Sequence, residues 1–297
     1  MPALVECVPN ISEGRRAAVI SAVASAITAV PGVRLLDQTS DADHNRSVFT
    51  FAGEPDAVVA AAHALVDVSL REIDMRTHKG EHPRLGAVDV VPFVPISGIA
   101  MDECVTLAHR FGKDVAAKHD VPVYFYANAA LRPDRVKLGD IRNKVQYEGL
   151  ADALATTHVP DAGSRFNARS GGVVVGARPF LIAFNIELDT NDLALAKRIA
   201  KEIRESSGGL PAVQALGFAL TDPPRVQVSM NLLDFRTTSL ATVWRAVETR
   251  AAAAGVKVLR GELIGLVPLD AALQVGADAL RLDGFDRTRV IEARFLE

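Results

Sequence analysis

DVVPFVPI (89–96) is a run of apolar residues too short for a helix and interrupted by prolines, so it reads as a strand. Working back from it, residues 54–70 read as a helix. Before that stand two β-prone runs, VRLLDQ (33–38) and RSVFTFAG (46–53), joined by the polar turn TSDADHN (39–45). An amphipathic helix over about 13–29 precedes them, with Val19, Val23 and Ile27 at four-residue spacing, Ser12 as N-cap and Pro31-Gly32 as its end. VECVPN (4–9) supplies the first strand. The order is βαββαβ. A helix at about 101–117 and the strand VPVYFY (121–126) extend it, before a polar, poorly periodic connector at about 128–170.

The second half repeats the pattern. PFLIAFNIEL (179–188) reads as a strand, residues 190–205 as a helix, AVQALGFAL (212–220) and RVQVSMNLLDF (225–235) as a strand pair, 239–254 as a helix and VKVLRGELIGLVPL (256–269) as the last strand. Asn10 and Asn185 both lie at the end of a first strand, and DVVPFVPI resembles GELIGLVPL, which points to an internal duplication. The expected fold is α+β, with two ferredoxin-like (βαββαβ) subdomains, residues 1–178 including the connector and residues 179–297. Each is expected to be an antiparallel sheet with two helices on one face, and the two to pack around a central cleft, the default ligand site.

Bulk properties narrow the function. The 297 residues are 49% hydrophobic and 23% charged with a formal net charge of −3, an ordinary globular composition whose balance argues against nucleic acid as a partner. Cys7 and Cys104 lie far apart among apolar residues, which suits buried thiols in a reducing compartment. The opening MPALVECVPN lacks a basic stretch followed by an apolar run, and no uncharged apolar stretch of about 18 residues occurs, so an unexported chain is expected. A cytoplasmic enzyme without membrane contact is expected.

Three polar segments carry the chemistry. IDMRTHKGEHPRLGAVD (73–89) packs titratable side chains between a helix and a strand, where scaffold-positioned loops tend to carry function. Within it His82 is suited both to take and to give a proton near neutrality; the plainer alternative is a solvated loop histidine. His78 and His82 are four apart, but Gly80 and Pro83 oppose a continuous helix through both and no third ligand is near, so no metal is expected. TSDADHNRS (39–47) is either a hairpin connection or a source of polar groups, with Arg46 entering an apolar strand as if to meet a carboxylate of protein or ligand. DAGSRFNARSGGVVVGAR (161–178) is either a glycine-rich connector or a ligand loop, its backbone donors and Arg165, Arg169 and Arg178 facing an anionic or planar molecule. No GxSxG is present, and neither cysteine sits in an electropositive segment, so nucleophilic catalysis has little support.

LVECVPNISEGR (4–15), DHNRSVFTFAG (43–53), GEHPRLGAVDVVPFVPI (80–96), VPVYFY (121–126), VGARPFLIAFNIEL (175–188) and QVSMNLLDF (227–235) together resemble the glutamate formimidoyltransferase family, in order and over nearly the whole chain. The resemblance implies a folate-dependent one-carbon transferase of histidine catabolism. It would move the formimidoyl group of N-formimidoyl-L-glutamate to N5 of tetrahydrofolate, the co-substrate, with no metal. A homodimer is implied, in a monofunctional form without the cyclodeaminase domain of animal members. His82 matches the family's catalytic histidine. Gly163, Ser164, Arg165, Phe166, Asn167, Ala168, Arg169, Ser170, Gly171 and Gly172 match its folate-binding segment. Asn10, Asp43, Asn45, Arg46, Arg84, Arg178 and Asn185 are the candidate substrate-binding residues.

The chain departs from the animal pattern in reading PDAGS (160–164) and in carrying Thr39 where an aspartate is expected. Formyl transfer between 5-formyltetrahydrofolate and glutamate, a noncatalytic folate-binding module and a zinc hydrolase are the alternatives. In the transfer reaction His82 would take a proton from N5 and return one to the leaving nitrogen. Glu81 or Asp89 would orient the ring, and Asp41 or Asp43 would face the cationic intermediate.

Overall fold

The computed structural model describes residues 2–221 and 223–294. The chain is α+β and divides into two compact units, Met1–Arg178 and Pro179–Glu297.

In the first unit the strands β1 (Leu4–Cys7) and β2 (Asn10–Ile11) are separated by Val8-Pro9. They are followed by α1 (Ala17–Thr28), β3 (Val33–Asp41), β4 (Arg46–Gly53), α2 (Pro55–Glu72), β5 (Val88–Ser97), α3 (Met101–His119) and β6 (Val123–Ala127). Then come the short helices α4 (Leu138–Arg142) and α5 (Gln146–Ala153), and last β7 (Val173–Ala177). Across the sheet β3 lies beside β4, β4 beside β1 and β2, and these beside β5, all antiparallel; β7 and β6 extend it in parallel. Alternation sends Cys7, Ile11, Phe49, Phe51 and Phe93 to one face, where they bury against Val23, Ile27, Leu65 and Phe111 of the helices. Each of these phenylalanine, isoleucine, leucine and valine side chains stabilises the fold by about 1.5–3 kcal/mol through apolar burial. On the other face Val90, Tyr124, Tyr126 and Val174 are covered by Ile141 of α4 and Leu150 of α5.

Several expectations are corrected here. The stretch read as a polar, poorly periodic connector holds α4 and α5, and VVVGA after it is the strand β7, whose parallel pairing makes this sheet mixed and not purely antiparallel. A strand buried on both faces in parallel pairing shows no alternation, and three valines between Gly172 and Gly176 leave no other signal. Ser12 is not the N-cap of α1. Its hydroxyl donates to the Gly86 carbonyl at 2.7 Å, and the Glu13 carboxylate instead accepts the Arg15 and Arg16 amides at 2.9 Å ahead of the helix. DVVPFVPI lies in a central strand despite its prolines. The Pro92 carbonyl accepts from Val8 at 3.4 Å, so the side on which proline lacks a donor faces the Val8-Pro9 interruption, where the ladder is already broken.

The second unit consists of β8 (Ile182–Leu188), α6 (Leu193–Ile203), β9 (Val213–Thr221), β10 (Pro224–Leu232), α7 (Leu240–Ala253), β11 (Val258–Ile264) and α8 (Leu269–Leu280). Its strands lie in the order β11-β8-β10-β9, all antiparallel. Ile182, Phe184, Ile186 and Leu188 alternate inward and meet Val226, Val228, Met230, Leu195, Ile199 and Val243. Asp192 caps α6 by accepting the Ala194 and Leu195 amides, and Ser239 caps α7 by accepting that of Thr242. The strand expected to run to Leu269 stops at Ile264, and Leu269 opens α8 behind Pro268. Counted within each βαββαβ stretch, both sheets place the strands in the lateral order four-one-three-two: β5-β1-β4-β3 and β11-β8-β10-β9.

Candidate active site

Residues 73–87 leave α2 as an irregular loop, and Asn45 ties that loop to the hairpin between β3 and β4. Its backbone is left-handed at φ 49°, a conformation asparagine tolerates better than most residues. The buried carboxamide accepts from Gly14 and donates to the Lys79 carbonyl, each at 2.9 Å. Its own carbonyl accepts from His78 Nε2 at 3.1 Å. Gly80 is required by the same approach, since a Cβ there would collide with the His44 carbonyl.

Arg84 is buried beneath this loop, and its donors are engaged. Nε donates to His78 Nδ1 at 3.2 Å, while the two terminal nitrogens fork onto Glu148 at 3.1 and 2.6 Å. Both ring nitrogens of His78 are thereby occupied, Nε2 as donor and Nδ1 as acceptor, so that histidine is held neutral. Burial, opposed by the bond to Asn45, keeps its pKa below the usual value. Among the described residues no group of three His, Cys, Asp or Glu side chains is placed to hold a metal.

His82 is bound differently. Arg46 Nη1 lies 2.7 Å from its Nε2. A guanidinium keeps its protons, so Arg46 donates and Nε2 accepts, which leaves the imidazole neutral with its proton on Nδ1 beside the Pro83 carbonyl. His44, whose Nδ1 meets Asp41 at 3.0 Å, stands edge-on to His82 with ring centroids 6.2 Å apart. Arg142 of α4 completes the surroundings, held at 2.6 Å by Asp89. Asp89 itself sits at a bulge in β5, where Asn10 pairs with Val90 but Ile11 with Val88. Its other oxygen accepts the Leu85 amide at 2.8 Å. Burial first, then the charges of Arg46, Arg142 and His44, push the pKa of His82 down to about 3.

A depressed histidine pKa makes stability depend on acid. Above about pH 6.5 folded and unfolded His82 are both neutral and nothing is lost; below it the unfolded ring binds a proton that the folded ring refuses until about pH 3. Burial acts the same way on His63, His78, His119 and His158. Unfolding free energy is therefore expected to fall as pH drops through this window. His82→Asn should remove up to about 1.4 kcal/mol per pH unit from that slope, as read by chemical denaturation at a series of pH values. An unchanged slope in the variant would contradict the neutral His82.

The segment 163–172 runs against the same loop. Gly86 and Gly171 are bridged, Ala87 donates to the Ser170 carbonyl at 2.8 Å and Gly172 to that of Leu85 at 3.0 Å. A Cβ on Gly86 would stand inside contact distance of the Ser170 and Gly172 carbonyls, so the glycine serves this close passage of two chains. Asn167 accepts the Arg169 and Ser170 amides through its side chain and that of Gly171 at its carbonyl. The backbone donors of 169–172 are thus engaged within the protein instead of being presented to an anion. Ser164 and Arg165 are exposed, Arg165 near Asp120 at 3.5 Å, while Phe166 is half-buried against the cluster of Tyr124, Ile141 and Leu150 and tilted against Tyr147 with centroids 5.9 Å apart. Ala168 receives the Tyr147 hydroxyl, and Arg169 bonds Asp74 and the Arg71 carbonyl. Gly163 has φ 74° and packs on Val121.

The remaining candidates are spread over both units. Asn10 lies between β4 and β5, its carboxamide turned back to Val8. Arg178 bonds Tyr126 and faces Glu6, whose carboxyl is raised by burial and partly lowered by that arginine. Asn185 belongs to the second unit and donates to Glu262 at 3.0 Å. On the same sheet face a pocket of about 500 Å³ is lined by Glu187, Arg225, Gln227, Arg260 and Glu262, but Glu187 is already held by Arg260 at 2.5 Å and Glu262 by Asn185. Asp43 contacts the histidine loop only through its carbonyl, which accepts the Glu81 amide at 3.2 Å. Neither Glu81 nor Asp89 bonds the His82 ring; the bonds are to Arg46 and Pro83.

Arg142 is the participant that the sequence did not disclose, because α4 is too short for periodicity and lies in a stretch without a motif. Residues 4–178 match the model of the formiminotransferase domain, N-terminal subdomain, and residues 183–283 that of the formiminotransferase domain. The glutamate formimidoyltransferase of Thermoplasma acidophilum is 44% identical over 293 residues, covering 98% of this chain and 97% of that protein. That of Streptococcus pyogenes serotype M1 is 41% identical, with 96% of each chain covered. The formimidoyltransferase-cyclodeaminase of Rattus norvegicus is 45% identical over 93% of this chain and 52% of the longer protein. With both halves matched in order and relatives aligned from end to end, the chain belongs to the formiminotransferase family.

Proposed function

We propose that the protein transfers the formimidoyl group of N-formimidoyl-L-glutamate to N5 of tetrahydrofolate, releasing L-glutamate in the degradation of histidine. The observation that carries this reading is the neutral His82, whose Nε2 lone pair accepts from the Arg46 guanidinium, with the charge of Arg142 also acting on the ring. The chemistry needs such a group. N5 attacks the amidine carbon and a C–N bond forms; His82 Nε2 takes the N5 proton; the bond to the glutamate nitrogen breaks as the same proton returns to it. The arginines suit substrates that bring glutamate carboxylates.

The folate would lie along Gly163–Gly172, where Phe166 and Tyr147 offer rings for a planar molecule and Arg165 a cation. Asn10, Asp43, Asn45, Arg84, Arg178 and Asn185 remain the further substrate-side candidates, Asn45 and Arg84 acting through the shape of the loop they hold. The four-one-three-two strand order supports two ferredoxin-like subdomains joined after Arg178. The family resemblance supports a homodimer as the working assembly. The two buried free thiols and the absence, among the described residues, of a helix long and apolar enough to cross a membrane suit a cytoplasmic enzyme.

Purified protein supplied with N-formimidoyl-L-glutamate and tetrahydrofolate is expected to release L-glutamate and form 5-formimidoyltetrahydrofolate with saturation in both substrates. No product with this pair, alongside turnover of 5-formyltetrahydrofolate with glutamate, would replace the proposed donor.

A further inference from the structure

Arg46 is in an unusual position. Its guanidinium is partly buried, yet among the described residues no carboxylate comes within ion-pair distance of it, and the bond it makes is to a neutral imidazole. Its neighbour Arg142 spends Nη1 on Asp89, while its Nε is buried without a hydrogen-bond partner. Around His82 the charged groups are Arg46 from β4, Arg142 from α4, Asp89 behind it on β5, and the His44–Asp41 pair at the hairpin. Glu81 of the loop is exposed to solvent. Asp89 is bonded to Arg142 and Asp41 to His44, so neither carboxylate bonds the Arg46 guanidinium, and the buried Nε of Arg142 has no acceptor.

We infer that the acceptor these two guanidinium groups lack is a carboxylate of the donor substrate, seated between Arg46 and Arg142, and that its arrival draws Arg46 off His82 Nε2 and so turns the ring into a base. The inference rests on the function proposed above and adds a coupling between binding and chemistry. With the site empty, the lone pair that must receive the N5 proton is blocked by Arg46. A carboxylate is a far stronger acceptor for a guanidinium than an imidazole is, and it offers two oxygens to a planar fork. Once Arg46 turns to it, the lone pair is exposed, and the anion beside the ring offsets the positive field that held the ring neutral. Proton capture is then confined to the occupied enzyme.

Chemistry favours the α-carboxylate of the formimidoyl donor over the folate tail. In N-formimidoyl-L-glutamate that carboxylate is carried by the carbon attached to the leaving nitrogen, so it must lie close to whatever group protonates that nitrogen. In tetrahydrofolate a methylene bridge and an aminobenzoyl ring separate N5 from the tail. The seated group and the reacting atoms can share one histidine only in the first case.

The test is the protonation of His82 in isotope-labelled full-length protein, followed by NMR against pH and assigned with His82→Gln. Without ligand the ring is expected to stay neutral well below pH 6. Saturating L-glutamate is expected to raise the midpoint at least a hundredfold in proton affinity, whereas γ-aminobutyrate, which lacks the α-carboxylate, leaves it in place. In Arg46→Gln the midpoint is expected to lie higher in the empty protein, and glutamate to move it little; Arg142→Gln should weaken the glutamate response.

A wild-type midpoint near 6.5 in the empty protein overturns the inference. So does glutamate that inhibits turnover without moving His82, glutamate that does not bind at all, or an equal response to γ-aminobutyrate. A response to p-aminobenzoyl-L-glutamate but not to glutamate assigns the seat to the folate tail and overturns the donor assignment. If the glutamate response is found while formimidoyl turnover is absent, the reaction proposed above fails and the switch stands.

Discussion

His82→Gln is expected to lower kcat by about 10²–10⁴-fold, the usual worth of a positioned acid–base group, with KM for both substrates little changed. Glutamine is the informative replacement because its side-chain oxygen can still accept from Arg46, which donates to the ring at 2.7 Å in the native protein. The loop around it rests on other bonds, those of Asn45 to Gly14 and Lys79 and of Arg84 to His78 and Glu148, so the variant should fold as the parent does. What glutamine cannot do is take a proton from N5 and return it to the leaving nitrogen. Loss in kcat without loss in KM is the signature of an interaction made in the transition state alone. Steady-state kinetics with each substrate varied, beside a melting curve to show retained folding, measures it. A kcat within a fewfold of the parent would remove His82 from the reaction.

The alternation in RSVFTFAG, the apolar DVVPFVPI and the repetition of βαββαβ were legible because buried side chains impose periodicity on the chain that carries them. The chemical loop was legible for the opposite reason, since histidines, arginines and glycines crowd where no core demands them. Contacts made by an irregular chain were not legible. Arg142 reaches the His82 surroundings only because α4 folds back over the sheet face of Tyr124 and Tyr126, and nothing in IRNKVQYEGL announces that return. The glycines of 163–172 look like a cradle for a ligand, whereas Gly171 and Gly86 are small because two backbones pass in contact there. Ser12 has the right residue type and place for a cap, and its hydroxyl is claimed by Gly86, a residue 74 positions away. Arg46 stands out in the sequence for entering an apolar strand, but its neutral partner lies 36 positions away on an irregular loop, where no local pattern records the contact.

Asp89→Ala is expected to destabilise the protein by about 3–5 kcal/mol, the cost of leaving one member of a buried ion pair uncompensated. The Asp89 side chain is 1% exposed and that of Arg142 15%, so solvent offers little replacement for the lost carboxylate. Two bonds disappear together: the 2.6 Å contact to Arg142 and the 2.8 Å bond from the Leu85 amide. The second matters for the site because Leu85 and Gly86 are the residues on which 170–172 lean. Asp89→Asn separates the effects, since the amide oxygen can still accept from Leu85 while the charge facing Arg142 is gone. Its loss should be smaller, and its deficit should fall more on catalysis than on stability, because Arg142 is then free to move away from His82. Denaturation followed by circular dichroism orders the three proteins, and hydrogen exchange across 84–87 and 170–173 shows where Asp89→Ala opens. If Asp89→Ala cost less than about 1 kcal/mol, the range of an exposed pair, the carboxylate would not be what fixes Arg142 beside the histidine.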